Sequence, residues 1–147
     1  MMALPAAAAL CGTCAAAVID ARTGFIPDRL TCATALLALG LAALAGSAED
    51  ACAGACTVGG VLFALHLLSC GRGLGLGDVK LGMAIGAGVG VTAGAAALGI
   101  AFVAGGAYAG WLLATRRAGR GSAIPFGPFL AAGTLAAAAT FAVRAPQ

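Results

Sequence analysis

Two acids stand where they could act together in a chain that otherwise avoids charge. Asp78 closes the run GLGLGD of Gly73 to Asp78, at the foot of a long uncharged stretch, and Asp20 ends an apolar N-terminal run. Two carboxylates brought close together near a membrane surface share one proton, because like charges at short range cannot both ionise cheaply. That is the equipment of an aspartyl protease. The ionised acid takes a proton from an attacking water while the protonated one polarises the scissile carbonyl, and the pair titrates as a unit.

The elements that must carry these acids follow from composition. The 147 residues are 62% hydrophobic and 9% charged, with a mean hydropathy of +1.06. A soluble domain is about one-quarter charged, so this composition predicts an all-α integral membrane protein with a single domain over residues 1–147. Each crossing of a hydrocarbon core needs about 20 mostly apolar residues. Six such spans fit: residues 2–20, 30–48, 51–70, 78–94, 95–115 and 123–143. The uncharged stretch Leu81 to Thr115 is too long for one helix, and Gly and Thr near Thr92 to Gly94 mark its expected division.

Orientation follows from the basic residues, since short loops rich in Lys and Arg stay in the cytoplasm. The first, third and fifth connections hold Arg22 and Arg29, Arg72 and Lys80, and Arg116, Arg117 and Arg120, seven of the eight basic residues. The other side has Glu49, Asp50, an uncharged turn near Thr92 and Arg144 alone. Both termini are therefore expected to be non-cytoplasmic, with Asp20 and Asp78 on the cytoplasmic side. The N-terminal run lacks the basic n-region of a signal peptide and is expected to be retained.

Around Asp78 the glycines have two expected uses. Gly73, Gly75 and Gly77 permit a tight turn and close approach of another chain. Asp78, Gly82, Gly86, Gly90 and Gly94 then recur every four residues, a small-residue stripe that should turn the acid into a helix interface. Taken alone, Asp78 reads equally well as an N-cap, and Lys80 as a snorkelling cation. Asp28, just after Pro27, reads as the N-cap of the second helix. Asp20 lacks that explanation, because an anion at a helix C-terminus opposes the dipole.

Three elements in order carry a family resemblance: Asp20 followed by Ile26-Pro27-Asp28, the GLGD of Gly75 to Asp78 followed by Val79-Lys80, and IPFGPFL of Ile124 to Leu130. Together they resemble the peptidase domain of the type IV prepilin peptidases, the GxGD membrane aspartyl proteases. The resemblance implies that Asp20 and Asp78 are the catalytic pair. It also implies prepilin or pseudopilin substrates, cleaved after a glycine at the cytoplasmic face of a bacterial inner membrane. Gly75 and Gly77 are assigned to positioning Asp78 and to close substrate approach, with Lys80 holding the loop or tuning the acid. Pro27, Pro125 and Pro128 are expected at the border of the substrate cleft, where an irregular segment accepts an extended strand. The bifunctional relatives carry a segment with paired CxxC motifs ahead of the first span. The chain as given starts directly with that span, so the short stand-alone form is expected, without methyltransferase activity.

The remaining candidates are weaker. Cys11 and Cys14 form CGTC, but Cys52 and Cys56 are spaced four apart, so no zinc site is expected and all six cysteines read as small packing residues. His66, within the third span, is expected to hydrogen bond between helices. Tyr108 and Trp111 read as interfacial anchors. No Gly-Lys-Ser/Thr follows the glycine run, so it is not a phosphate loop. No cofactor is implied. The positive-inside loops account for the net charge of +3 without nucleic-acid binding, leaving the lipid bilayer and the substrate as partners. The rival reading is a small proton-coupled transporter with Asp20 and Asp78 as its relay. That function favours acids at the bilayer midplane, whereas these lie at one boundary.

Overall fold

The computed structural model describes residues 3–71, 73–117 and 124–144, with side chains as far as Thr140. Arg72 and Arg120 of the basic-loop pattern lie outside the described residues, as do Met2 and Ala123 at the expected starts of the first and sixth spans and the side chain of Arg144. Among the described residues five helices follow one another: α1 (Ala3–Thr23), α2 (Asp28–Leu44), α3 (Ala48–Leu68), α4 (Leu76–Ala114) and α5 (Gly127–Arg144). Among the described residues there is no strand. Three of the helices among the described residues, α1, α3 and α4, are long and apolar enough to cross a membrane.

At 39 residues, α4 would be about 58 Å long as a straight rod, roughly twice the hydrocarbon thickness. It is not straight. Gly90 adopts φ 78° and ψ −176°, a conformation open essentially to glycine alone. A Cβ added to Gly94 would lie 3.5 Å from Gly86 Cα, although eight residues of continuous helix span about 12 Å. The chain therefore doubles back at Gly90 into two arms, 76–89 and 91–114. The division falls slightly before the expected Thr92 to Gly94, because Gly90 meets the Asp50 carboxylate of α3. Asp50 Oδ1 accepts the amide of Val91 at 3.2 Å, satisfying a free donor at the start of the second arm.

Packing is inverted relative to a water-soluble domain. The core is built of Leu62, Leu81, Ile85, Leu130 and Val58 amid many alanines, whereas Leu36, Leu37, Leu44, Leu68, Phe63 and Val103 point outward. Small residues inward and large apolar residues outward is the arrangement suited to lipid, where helices associate by close backbone approach. Gly86 of the small-residue stripe meets the backbone of Gly54 on α3, and Gly82 meets Leu62 and Val58. Gly12 of α1 lies against Thr34 of α2, and Gly133 of α5 against Ala97 O in the second arm of α4. Side chains at these glycines would force the helices apart. The buried hydroxyls of Thr13 and Thr134 donate to the carbonyls of Ala9 (2.6 Å) and Leu130 (2.7 Å), as polar groups away from water require.

The cysteines depart from expectation. Cys11, Cys32, Cys52, Cys56 and Cys70 are exposed and Cys14 is half-buried, so they contribute to the outer surface and not to the core. Tyr108 and Trp111 stack at 6.0 Å near the end of the second α4 arm, and the Arg117 guanidinium lies over the Trp111 ring at 5.2 Å. That grouping of aromatic and cationic side chains suits a membrane interface.

Candidate active site

The α1–α2 connection, the start of α4 and the start of α5 meet at one end of the bundle, and both acids stand there. A cleft of about 330 Å³ is lined by Asp20 at the end of α1, Gly24, Phe25 and Ile26 of the connection after it, Asp28 at the start of α2, and Gly75, Leu76, Gly77, Asp78 and Lys80 at the start of α4. Asp50 and Gly90 form their contact between the other connections. The acids therefore lie together at one end of the helices.

Asp20 sits in the last turn of α1 and is 5% exposed. Its expected conflict with the helix dipole is answered from elsewhere: Gly127 N, at the start of α5, donates to Asp20 Oδ2 at 2.8 Å. An N-terminal helix amide is a strong partner for a carboxylate. Gly127 lies between Pro125 and Pro128 in IPFGPFL, a position that sequence reasoning passed over. A Cβ there would come within 2.8 Å of Asp20 Oδ2, so the contact needs glycine. Residues 124–126 precede α5 as irregular backbone, and the helix begins later than the expected residue 123, so Pro125 stands outside it and Pro128 within its first turn.

Asp78 is 9% exposed and lies in the first turn of α4. It is not the N-cap; that position belongs to Gly75, whose amide donates to Asp78 Oδ2 at 3.1 Å. Asp78 Oδ1 is buried and has no hydrogen-bond partner among the described residues. One oxygen is thus held by the turn and the other is left unpaired, which for a buried carboxylate is costly unless a ligand or reactant uses it. Gly77 has a steric reason to be glycine, since a Cβ would press within 3.0 Å of Ile26 Cβ. Gly75 is in extended backbone at φ −78° and ψ 154°, so its contribution here is its amide.

The other predicted residues take definite places. Asp28 is not the N-cap of α2: Pro27 is, and Asp28 in the first helical turn pairs with Lys80 Nζ at 2.6 Å across the cleft wall. Lys80 therefore ties α4 to α2. Among the described residues that line the cleft none of the three prolines appears: Pro27 directly follows the lining residue Ile26, and Pro125 and Pro128 flank Gly127. His66 bonds to a loop and not to another helix: its Nδ1 lies 2.7 Å from Leu74 O. Among the described residues no three His, Cys, Asp or Glu side chains gather as a metal site would require.

Fold and site together define a class, a helical membrane protein with two carboxylates lining a cleft at one end of its bundle. Residues 7–110 match the type IV leader peptidase family, and the chain belongs to it. It is 42% identical over 143 residues to the prepilin leader peptidase/N-methyltransferase of Burkholderia pseudomallei strain 1026b, and equally to that of strain K96243. The matched region covers 87% of this chain and 45% of each relative, so the chain spans less than half the length of the curated relatives it matches. No solved structure matches it.

Proposed function

We propose that this chain is an aspartyl endopeptidase of the membrane boundary, which removes the leader peptide from type IV prepilins or pilin-like proteins. The observation that carries this reading is the sharing of one open cleft by Asp20 and Asp78, with Asp78 Oδ1 buried and unpaired among the described residues. Asp20 and Asp78 form the catalytic pair. One carboxylate, ionised, removes a proton from a water as its oxygen attacks the scissile carbonyl carbon; the other, protonated, donates a hydrogen bond to the carbonyl oxygen. Protonation of the leaving nitrogen collapses the tetrahedral intermediate and returns the pair to its single shared proton. The main-chain amides of Gly127 and Gly75 hold one oxygen of each acid, so neither must reorganise during the reaction.

The positive-inside distribution of Lys and Arg supports cleavage on the cytoplasmic face of a bacterial inner membrane, six spans and both termini on the opposite side. Residues 1–147 then act as one peptidase domain. Phe25 and Leu76, exposed apolar residues of the cleft lining, provide surface for the substrate backbone and side chains. Gly77 keeps the two loops close, and Pro27, Pro125 and Pro128 border the path of an extended segment. Family membership and acids confined to one end argue against a proton relay, which needs access from both sides.

The test is processing of a co-expressed prepilin in a peptidase-deficient host at matched membrane abundance. Asp20→Asn and Asp78→Asn should each lower processing by about 10³-fold or more, and the double variant should be no worse, since the two act as a unit. Asp28→Asn should cost no more than a few-fold, because an exposed ion pair contributes about 0–1 kcal/mol. Undiminished processing by either of the first two variants refutes the catalytic pair.

A further inference from the structure

Among the described residues, the side chain that hydrogen bonds from outside to the run ending in Asp78 is that of His66. Its Nδ1 lies 2.7 Å from the carbonyl oxygen of Leu74. A carbonyl only accepts, so Nδ1 carries the proton. The N–H on the other side of that same peptide group belongs to Gly75, and it donates to Asp78 Oδ2 at 3.1 Å. A single planar peptide unit is thus hydrogen bonded at both ends, to an imidazole at its oxygen and to a carboxylate at its nitrogen.

The imidazole is itself fixed. Its ring stacks on Phe63 with centroids 6.4 Å apart and planes 16° from parallel. Gly71, at φ +72°, lets the loop turn beside it; a Cβ there would come within 3.3 Å of His66 Cε1. The loop turns back on the end of α3 through Gly71 N donating to His66 O at 2.9 Å. Leu74, whose carbonyl is held, is buried and anchors its side chain in the core.

We propose that His66 is a positioning residue for Asp78, acting through the Leu74–Gly75 peptide group. The inference rests on the reading of Asp78 as a catalytic carboxylate. A donor on the carbonyl oxygen fixes the rotation of the peptide plane, so the Gly75 N–H stays aimed at Oδ2. It also draws electron density toward that oxygen and makes the N–H a stronger donor, since hydrogen bonds in series polarise one another. Oδ2 is thereby pinned, and Oδ1 remains free for the reaction. Releasing the plane lets the carboxylate rotate, which harms turnover more than substrate binding, because the substrate touches other parts of the cleft.

The test is steady-state cleavage of a purified prepilin by the full chain in detergent, comparing wild type, Asp78→Asn and three variants of His66. His66→Leu removes the donor and should lower kcat about tenfold, the equivalent of 1.4 kcal/mol, with KM within about twofold of wild type. His66→Asn places an amide nitrogen near the position of Nδ1 and should restore kcat to within about threefold. His66→Gln, with its amide one carbon further out, should not. Wild-type kcat in His66→Leu, or equal kcat in the Asn and Gln variants, overturns the proposal and leaves His66 a simple loop tie. Should His66→Leu fail to accumulate, the comparison of Asn with Gln decides alone. If the wild-type chain cleaves no prepilin, or Asp78→Asn cleaves at the wild-type rate, the peptidase reading fails and this inference falls with it; activity lost only in Asp78→Asn overturns the role of His66 alone.

Discussion

Asp20 is held by an amide 107 residues further along the chain: Gly127 N donates to its Oδ2 at 2.8 Å, joining the end of α1 to the start of α5. This contact lets an anion occupy the last turn of a helix, where the dipole of its own helix opposes it, by offering the favourable dipole end of another.

Replacing Gly127 by Ala should therefore act on Asp20. The new methyl would meet Asp20 Oδ2, Cβ and Cγ at 2.8, 3.0 and 3.2 Å and push the carboxylate from its place. A displacement of about 1 Å in a reacting group costs up to ~10²-fold, so processing should fall by at least about tenfold at unchanged membrane abundance. Immunoblotting of mature and precursor pilin in the complemented host measures this. A wild-type ratio would show that Asp20 does not need the contact.

Pro125 and Pro128 flank that glycine and constrain the irregular segment before α5 as well as its first turn. Pro125→Ala with Pro128→Ala should lower turnover more than protein abundance, by about threefold to tenfold, since both prolines limit the approach of Gly127 to Asp20. Quantifying processing per unit of membrane-inserted protein separates the two effects. Equal loss of turnover and abundance would leave the prolines a folding role only.

At the other end of the bundle, Gly90→Ala should destabilise without touching the chemistry. The φ of 78° with ψ −176° costs about 1–3 kcal/mol for a residue with a Cβ, and that Cβ would also run into Asp50. Asp50→Ala should cost about 1 kcal/mol through the lost bond to Val91 N. Thermal melting in detergent should show both losses, with the glycine variant the worse. The surviving folded fraction should process prepilin at the wild-type rate. An unchanged melting temperature in Gly90→Ala would mean that the chain does not double back there.

Much of the site was legible as residue types. The two acids, with Gly75 and Gly77 ahead of Asp78, line one cleft, and they stood out because they interrupt an otherwise uniform apolar pattern and interruptions in lipid are expensive. Their partners were not legible. Asp28 looked like a cap from its place after Pro27, yet it pairs with Lys80, fifty-two positions away, once α2 and α4 meet. His66, the single histidine, could have been flagged by its isolation, but only the turn after α3 brings Leu74 O to its ring. The cysteines read as small packing residues of the apolar spans, and the rotation of each helix leaves five of them exposed and Cys14 half-buried.

Composition and periodicity alone determined the solvent, the helical class and the need to divide the long apolar stretch, because these depend on how many successive residues lack charge. The sequence likewise determined that Asp20 and Asp78 would be the conspicuous acids. Tertiary structure decided that Gly90 makes the reversal, that Gly127 and Gly75 each hold one of the acids, and which oxygen of Asp78 is left unpaired. Those outcomes depend on which helix faces pack together, and small-residue faces leave several registers sterically open until backbone contacts such as Gly54 with Gly86 select one.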